Sequence, residues 1–341
     1  MKILIIANYA DGLYLFRKEL MEAFLKDGNE VYVSVPEDEN CTKLKKYDVK
    51  LFYSNLDRHG VNPFKDLKLF MGYVRLIRRL KPDYVLTYTI KPNVYGGMAA
   101  RLTRVPYVCN VTGLGIAVQN GGLKSSLLIF MQKTSMSKAA RVFFQNEENM
   151  RFMQGRGVAV KNAELLPGSG VNLDERRLQD YPSETNGIRF LAVLRIMRDK
   201  GVGEYLEAAS RIKKRHPEVS FELAGAYEDD EKARFEPKIN ELASNGTITY
   251  LGVLNGIDAA LGRSHVVIHP SYHEGLSNVV LESAAAGRPL LVSNVPGCIE
   301  GIDPGVSGFT FEPKDARSLE EAIERMLGLS EDERRQMCLA G

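Results

Sequence analysis

The chain has 341 residues, of which 44% are hydrophobic and 26% charged, and this length and balance predict an ordinary globular protein of two domains. Four widely scattered cysteines without a CxxC pair argue against a disulfide framework and a zinc site, and they favour a reducing compartment. No segment approaches the roughly 18 apolar residues that span a bilayer, and the first apolar run, ILIIA, is too short for a signal peptide, so we expect a cytoplasmic protein or one bound to a membrane face.

Charge is divided unevenly along the chain. Residues 1–170 contain 25 Lys and Arg against 15 Asp and Glu, whereas the remainder contains 20 against 28. This asymmetry indicates that the first half meets something anionic, such as a lipid diphosphate, an acidic bilayer surface or a nucleic acid. The alternative that these side chains only solvate helix faces stays open. Nucleic acid is disfavoured because the basic segment lacks interleaved aromatic residues and any RNA-reading motif.

Strand-like runs alternate with helical patterns, which is typical of parallel α/β sheets. In the first half the patterns predict strands near Lys2–Ala7, Glu30–Val35, Lys50–Tyr53, Tyr84–Tyr88, Tyr107–Val111 and Val142–Gln145, and helices near Tyr14–Asp27, Pro63–Leu80, Val94–Leu102 and Leu123–Ala139. In the second half they predict strands near Ile188–Leu194, Ser220–Ala224, Thr247–Leu251, His265–His269, Pro289–Val292 and Phe309–Phe311. We therefore predict two Rossmann-like, doubly wound parallel sheets that face a central cleft, with domains at 1–171 and 187–341 and a polar linker at 172–186.

The loop Asn8–Leu13 joins the first predicted strand to the first helix. Here Asp11 can cap the helix, and Gly12 allows a phosphate or sugar to approach the backbone closely. A GxGxxG fingerprint is absent, which argues against NAD.

Two further segments of the first half, TYTIKPN (87–93) and NVTGLG (110–115), follow predicted strands and are expected to face the cleft. Lys91 is a candidate for holding an anionic acceptor, although a solvent-exposed lysine is equally consistent with the pattern. Thr112, Gly113 and Gly115 are candidates for lining a reaction centre.

Arg195 directly follows a predicted strand, and Lys200 comes five residues later at the start of a helix. Ligands of open α/β sheets bind at this end of the strands. Two cations there could neutralise the charge that grows on a departing diphosphate without a metal ion. Taken alone, an ordinary solvated turn is the alternative.

Glu274 and Glu282 flank a predicted helix start, at which Gly275, Leu276, Ser277 and Asn278 lie. Backbone N–H groups of a helix start suit an anion such as a diphosphate. The two carboxylates can accept hydrogen bonds from the hydroxyls of a sugar and of a ribose, although paired glutamates also occur simply as dipole partners. The layout predicts a site for a sugar nucleotide.

Three histidines, His265, His269 and His273, are spaced four apart, but they lie on a strand broken by Pro270 rather than on a helix. The spacing therefore does not indicate a metal site, and we interpret His269 and His273 as residues that shape the loop.

Together these residues resemble glycosyltransferase family 4, a retaining family with the GT-B fold, over nearly the whole chain. The matching motifs are GSGVN at 168–172, LRIMRDKG at 194–201, HPSYHEGLSNVVLE at 269–282, AAGRPLLVSNVPGCIE at 285–300 and GFTFEP at 308–313. The resemblance implies that Arg195 and Lys200 bind the donor diphosphate, Glu274 the donor sugar and Glu282 the ribose, with no metal. Gly12 and Gly252 complete the expected donor-binding set.

The chain departs from the family pattern at three positions. Leu194 replaces a glycine, Asn172 replaces an aspartate, and Thr112 lies where many relatives have a histidine near the reaction centre. Relatives also tend to end in a helix that returns to the first domain, so we expect the given C-terminus to be truncated.

The segments around residues 87–97 and 110–115 are similar to bacterial transferases that build capsule, exopolysaccharide or O-antigen repeats. The resemblance implies transfer from a UDP-sugar to a polyprenyl-diphosphate-linked saccharide, by an enzyme peripheral on the inner face of the cell membrane. The basic first domain would contact the anionic bilayer, and helix 123–138 is a candidate for entering the interface, with core packing slightly favoured. A non-hydrolysing UDP-sugar epimerase and a non-catalytic sugar-nucleotide-binding protein are the alternatives.

Overall fold

The computed structural model describes residues 1–57, 60, 62–115, 118 and 121–340. The chain divides into two compact units, Met1–Ser169 and Gly170–Gly341. The segment 172–186, predicted as a linker, lies within the second unit. No helix in the described part of the chain is long and apolar enough to cross a membrane.

The first unit contains a seven-stranded parallel sheet in the order β3-β2-β1-β4-β5-β6-β7. Six of its strands were predicted; β7 was not, because its three residues are exposed or half-buried and form no apolar run. The strands are β1 Lys2–Ile6, β2 Glu30–Val35, β3 Val49–Tyr53, β4 Tyr84–Tyr88, β5 Tyr107–Val111, β6 Arg141–Phe144 and β7 Ala163–Leu165.

Helices cover both faces of this sheet. Since side chains alternate along a strand, Ile3 and Ile5 of β1 join one core cluster and Leu4 and Ile6 join the other. The helices are α1 Ala10–Lys26, α2 Cys41–Leu44, α3 Pro63–Leu80, α4 Gly97–Thr103 after a π-helical turn at Pro92–Gly96, α5 Gly122–Met136 and α6 Glu147–Gln154.

Helix α3 has the bounds that the sequence predicts. Asn62 Oδ1 accepts hydrogen bonds from the backbone N–H of Phe64 and Lys65, and Pro63 occupies the first helical position. The helix ends at Lys81, whose φ of 48° is left-handed.

The predicted cap of α1 is wrong. The helix begins at Ala10, so Tyr9 is the N-cap residue and makes no side-chain capping bond. Asp11 lies inside the first turn, where its carboxylate accepts a hydrogen bond from Lys43 Nζ at 2.6 Å. Gly12 is therefore a helical residue rather than a loop residue.

The second unit contains a six-stranded parallel sheet in the order β10-β9-β8-β11-β12-β13, and all six strands were predicted. They are β8 Arg189–Val193, β9 Ser220–Ala224, β10 Thr249–Tyr250, β11 Val266–His269, β12 Leu290–Ser293 and β13 Gly308–Phe311. The helices are α7 Val202–Arg215, α8 Lys232–Ser244, α9 Asp258–Arg263, α10 Asn278–Ala285, α11 Ala316–Leu327 and α12 Glu331–Ala340.

Two buried arginines bind the segment 172–186 to this unit. Arg288, only 1% exposed, donates to the backbone carbonyl of Asp180 at 2.8 Å. Arg334 on α12 donates to both carboxylate oxygens of Glu184, at 2.7 and 2.6 Å. A bidentate pair of this kind fixes both position and orientation, so the segment is part of the folded unit.

Candidate functional site

A tight turn positions Lys200 against the loop that contains Glu274. Lys200 is followed by Gly201, whose φ of 68° is left-handed, and a Cβ at this position would collide with the carbonyl oxygen of Pro270. The backbone N–H of Tyr272 donates to Asp199 O at 2.9 Å and joins the same two segments. The glycine therefore allows the close approach that brings Lys200 to the end of β11.

Lys200 and Glu274 form a short, mostly buried ion pair. Lys200 Nζ lies 2.5 Å from Glu274 Oε1, and the two side chains are 15% and 18% exposed. Lys200 Nζ also donates to Ser271 Oγ at 3.3 Å. Burial by itself raises the pKa of Glu274, but the charge of Lys200 and a hydrogen bond from His269 outweigh it and hold this pKa well below its usual range. Glu274 is therefore ionised at neutral pH.

His269 connects Glu274 to the start of α10. Its Nε2 atom lies 3.1 Å from Glu274 Oε1 and 3.0 Å from Ser277 Oγ. An ionised carboxylate can only accept, so the proton of the ring belongs on Nε2. Nδ1 is then a buried acceptor, and it has no hydrogen-bond partner among the described residues. The predicted loop-shaping role of His269 thus takes a specific form, the orientation of Glu274.

Helix α10 begins next to this cluster. Ser277 is its N-cap residue, and Ser277 Oγ accepts from the backbone N–H of Val280 at 3.4 Å. Gly297 has a left-handed φ of 84° and lies against the backbone of Glu274 and Gly275. A Cβ added to Gly297 would lie 2.8 Å from Glu274 C and 2.7 Å from Gly275 O. Glu274 therefore lies just ahead of a helix N-terminus, where partial positive charge favours an anion.

Glu282 lies within α10 and has a partner that the sequence analysis missed. Arg176 donates from Nη2 to Glu282 Oε1 at 2.9 Å and from Nη1 to Asp258 Oδ1 at 2.6 Å. Burial raises the pKa of Glu282 despite the opposing charge of Arg176. Arg176 lies in the polar segment interpreted as a linker, which carried no periodic signal and so no reason to single it out.

Two other predicted donor residues, Arg195 and Gly252, lie at strand ends of the same unit, whereas Gly12 lies in α1 of the first unit. Arg195 follows β8 and pairs with Glu228 at 2.9 Å, and its side chain is half-exposed. Gly252 follows β10, and its carbonyl accepts from the backbone N–H of Gly225 at 2.8 Å. Lys200 and His269 bond to Glu274, and Ser277 bonds to His269, whereas Arg195 forms a separate ion pair.

The other two histidines of the predicted series, His265 and His273, make no hydrogen bond to Glu274 in the described part of the chain. His265 Nδ1 accepts from the backbone N–H of Arg189 at 2.9 Å, and its Nε2 lies 3.2 Å from Ser183 O. Burial lowers the pKa of His265 and also that of His273. Within the described ranges, no group of three or more His, Cys, Asp or Glu side chains is arranged to hold a metal ion.

In the first unit, Lys91 already has a carboxylate partner. Its Nζ atom lies 2.9 Å from Asp66 Oδ1 and 2.6 Å from Gly60 O, and its side chain is 19% exposed. Tyr95 donates to the other oxygen of Asp66 at 3.0 Å. An acceptor anion would therefore compete with Asp66 for Lys91.

A buried network joins the two segments predicted to line the reaction centre. Thr87 Oγ1 donates to Asn93 Oδ1 at 2.6 Å, Asn93 Nδ2 donates to Asn110 O at 2.8 Å, and Asn110 Nδ2 donates to Thr87 O at 3.2 Å. Asn110 lies in β5, and Thr112, Gly113 and Gly115 come directly after that strand. The carboxyl ends of β4 and β5 are thereby held together.

Two polar atoms at neighbouring strand ends are buried and have no hydrogen-bond partner within the described ranges: Asn8 Oδ1 after β1 and Thr89 Oγ1 after β4. Thr89 also has a φ of 73°, which is strained for a β-branched residue. Strands β1 and β4 are adjacent in the sheet. Buried polar atoms without a partner require an explanation, and ligand binding is one that also fits the strained turn at Thr89. Neither residue was predicted from the sequence.

Two family models match the chain. "Glycosyl transferase 4-like" matches residues 2–146 and "Glycosyl transferases group 1" matches residues 174–338. Among curated proteins, the chain is similar to the N,N'-diacetylbacillosaminyl-diphospho-undecaprenol alpha-1,3-N-acetylgalactosaminyltransferase of Campylobacter jejuni. The two are 29% identical over 356 aligned residues, and the alignment covers 100% of this chain and 92% of the relative. It is 25% identical to the capsular polysaccharide biosynthesis glycosyltransferase CapM of Staphylococcus aureus, over 84% of this chain and 78% of that protein.

A solved structure shares the fold. The Anabaena protein HepE in complex with UDP and glucose aligns with a TM-score of 0.82 and 17% identity, over 100% of this chain and 93% of that one. Together with the two doubly wound units, this defines a protein with the GT-B fold. The chain belongs to the group 1 glycosyltransferases, with a family 4-like first domain, and it is an enzyme of that class.

Proposed function

We propose that this glycosyltransferase moves a sugar from a UDP-sugar to a polyprenyl-diphosphate-linked saccharide, with retention of the anomeric configuration and without a metal ion. The observation that carries the donor half of the proposal is the buried Lys200–Glu274–His269 cluster beside the start of α10. The acceptor class is supported by the name of the Campylobacter jejuni relative, a transferase acting on a diphospho-undecaprenol saccharide. An Escherichia coli relative, 25% identical, is named as a UDP-Gal-dependent galactosyltransferase acting on the same lipid class.

The chemistry follows from the charges. Glu274 is ionised and has no proton to donate, so it serves as an acceptor for a donor-sugar hydroxyl rather than as a general acid. As the bond between the anomeric carbon and the phosphate oxygen breaks, negative charge grows on the diphosphate. Lys200 and the N-terminus of α10 stabilise that charge. The acceptor oxygen bonds to the anomeric carbon on the same face, and its proton passes to the departing phosphate oxygen.

Ribose binding to Glu282 involves Arg176. In the structure Arg176 donates to one Glu282 oxygen, so a ribose hydroxyl either uses the second oxygen or displaces the guanidinium. Asp258 gives Arg176 a second carboxylate partner. We expect Arg176 to orient Glu282 when the nucleotide is bound. Arg195, which pairs with Glu228, is proposed to turn to the donor diphosphate in the same complex.

The acceptor saccharide is proposed to bind at the carboxyl ends of β1, β4 and β5. This proposal is supported by the unpartnered atoms of Asn8 and Thr89 and by the glycines that follow Thr112. Lys91 contributes only if an anionic acceptor draws it away from Asp66.

Peripheral membrane association is supported by the apolar side chains that the first unit exposes. On α5, Leu123, Leu127 and Phe130 are 91%, 58% and 65% exposed, although the sequence pattern slightly favoured core packing for this helix. Their spacing places them on one side of the helix, and the helix carries Lys124 and Lys133 as well. An exposed apolar stripe with flanking lysines suits the interface of an anionic bilayer.

The test is a transfer assay in which UDP-, GDP- and ADP-sugars are offered with polyprenyl-diphosphate-linked mono- and disaccharides, with and without EDTA. The proposal predicts an extended lipid-linked saccharide from a UDP-sugar at a rate that EDTA does not change. An epimerase would instead convert the UDP-sugar without any acceptor. A non-catalytic binding protein would bind UDP and form no product.

A further inference from the structure

A cavity of about 260 Å³ in the first unit belongs to none of the sites described above. It lies between α3 and the carboxyl ends of β2 and β3. None of the described residues that line it carries a carboxylate. The residues that line it are Ser34, Phe52, Tyr53, Ser54, Asn55, Lys68, Leu69, Gly72, Tyr73, Arg75, Leu76 and Arg79.

Two neighbouring hydroxyl groups in this lining make no hydrogen bond of ordinary geometry with a described residue. Tyr73 is only 2% exposed, and neither its phenolic oxygen nor the buried Oγ of Ser54 forms such a bond within the described part of the chain. A buried hydroxyl that makes no full hydrogen bond is destabilising, so this neighbouring pair keeps hydrogen-bonding capacity that a ligand in the cavity could use. Burial raises the pKa of the Tyr73 phenol and the neighbouring Ser54 hydroxyl opposes this only in part, so the phenol remains a neutral donor.

Three cationic side chains line the same cavity. Lys68, Arg75 and Arg79 are exposed, and none of them forms a salt bridge with another described residue. The Arg79 guanidinium lies 6.0 Å from the centre of the Phe52 ring. Cations around buried hydroxyl donors offer a phosphate group both charge and hydrogen bonds.

An exposed apolar band runs along α3 beside these cations. Phe64, Leu67 and Met71 are 85%, 59% and 39% exposed. Residues four apart are neighbours on a helix, so Lys68 lies next to Phe64, and Arg75 next to Met71. The cations thus lie between an apolar band and a polar cavity. This arrangement matches a lipid with a phosphate headgroup, whose acyl chains would meet the band and whose phosphate would meet the cations and the cavity.

We propose that this cavity binds the phosphate headgroup of an anionic membrane lipid while the apolar band enters the bilayer interface. The inference deepens the membrane association in the proposed function and rests on it. Tyr73 and Ser54 donate to phosphate oxygens, and Lys68, Arg75 and Arg79 neutralise the charge. The hydroxyl groups lie inside the cavity, so only a phosphate bound in the cavity can contact them. Attraction to the general negative charge of a membrane surface would not depend on them.

The chain offers a matched pair of variants. Arg78 and Arg79 are adjacent exposed residues of α3, but only Arg79 lines the cavity. The experiment measures sedimentation of the full chain with vesicles of phosphatidylcholine alone and of phosphatidylcholine with phosphatidic acid. We expect binding only to the second, weakened by Arg79→Gln at least about tenfold more than by Arg78→Gln.

Tyr73→Phe tests the hydroxyl without changing charge. We expect it to weaken binding to the phosphatidic acid vesicles by roughly fivefold and to leave the thermal unfolding midpoint unchanged or raised, because it removes an unpartnered buried group. Turnover with a detergent-solubilised acceptor stays at the wild-type level in both Arg79→Gln and Tyr73→Phe, which shows that each variant is folded.

The outcomes separate the inference from the proposed function. Equal effects of Arg78→Gln and Arg79→Gln, with no effect of Tyr73→Phe, overturn the headgroup site but leave membrane association intact. Displacement of the vesicles by an equal concentration of inorganic phosphate assigns the cavity to free phosphate and overturns the lipid proposal. If the wild type binds neither vesicle while it transfers sugar in detergent, both the membrane association and the headgroup site fail, and the transferase proposal stands.

Discussion

The ion pair between Lys200 and Glu274 is the most informative place to perturb the donor site. The pair is mostly buried, so Lys200→Met leaves a desolvated carboxylate without its charged partner. Loss of one partner of a buried pair costs about 3–5 kcal/mol, and because His269 still donates to Glu274 we expect about 3 kcal/mol. Glu274→Gln leaves Lys200 with Ser271, and we expect it to cost about 2 kcal/mol.

A double-mutant cycle converts these values into a test. Urea unfolding followed by circular dichroism is measured for the wild type, the two single variants and the double variant. We expect the double variant to lose about 3 kcal/mol rather than the roughly 5 kcal/mol of additive losses, a coupling of about 2 kcal/mol. Additive losses would refute the claim that the two side chains stabilise each other. Sugar transfer by Lys200→Ala should fall at least about tenfold, or about 1.4 kcal/mol in the barrier.

The pH dependence provides a second check on the same pair. In the wild type the pKa of Glu274 is lowered on folding, so its contribution is present above the ordinary value of 4.5 and is lost as the pH falls through the folded value. In Lys200→Met the main opposing charge is gone, so burial is opposed only by His269 and the pKa of Glu274 is higher than in the wild type. The stability deficit of the variant is therefore largest at neutral pH and shrinks on acidification. A deficit that does not change with pH would contradict an ionised Glu274.

Three further changes probe the rest of the second unit. Glu282→Ala should weaken UDP-sugar binding, measured by calorimetry, at least about tenfold, and unchanged affinity would contradict the ribose assignment. Arg176→Met should weaken UDP binding by a smaller factor, about fivefold, because Glu282 remains but loses its orientation, and tighter binding would show that Arg176 obstructs the nucleotide instead. Gly201→Ala should lower the unfolding free energy by more than about 2 kcal/mol, because φ is left-handed there and the added methyl group collides with Pro270 O. The matched control is Gly203→Ala, inside α7 with open space around it, and we expect it to be neutral or stabilising. Equal effects of the two glycine variants would contradict the close packing of the turn.

Most of the fold could be predicted because its signals are local. The strands are short runs of β-branched and aliphatic residues, and α3 carries its own cap and its own stop. The three-residue β7 lacked such a run. The start of α1 was misplaced because Asp11 and Gly12 resemble a cap and a loop, whereas the helix accommodates both in its first turn.

The candidate site was predictable only in part because its contacts are distant in sequence. The partnership of Arg176 with Asp258 spans 82 positions, and nothing in the polar segment around Arg176 reports it. The pairing of Lys91 with Asp66 is likewise a tertiary contact. From the sequence Lys91 is a candidate for binding an anionic acceptor, whereas in the structure Asp66 already neutralises its charge. By contrast, Lys200 and Glu274 both follow strands of one parallel sheet, whose carboxyl ends lie at one edge, so their proximity could be predicted.

The central claim is that this chain transfers a sugar from a UDP-sugar to a lipid-diphosphate-linked saccharide with retention. The most direct measurement is product analysis after incubation of the chain with UDP-sugars and undecaprenyl-diphosphate-linked saccharides in EDTA, with the new linkage assigned by nuclear magnetic resonance. The account predicts a lipid-linked saccharide longer by one sugar, in the anomeric configuration of the donor. An inverted linkage, a strict requirement for a divalent metal, or conversion of the UDP-sugar without acceptor would contradict it.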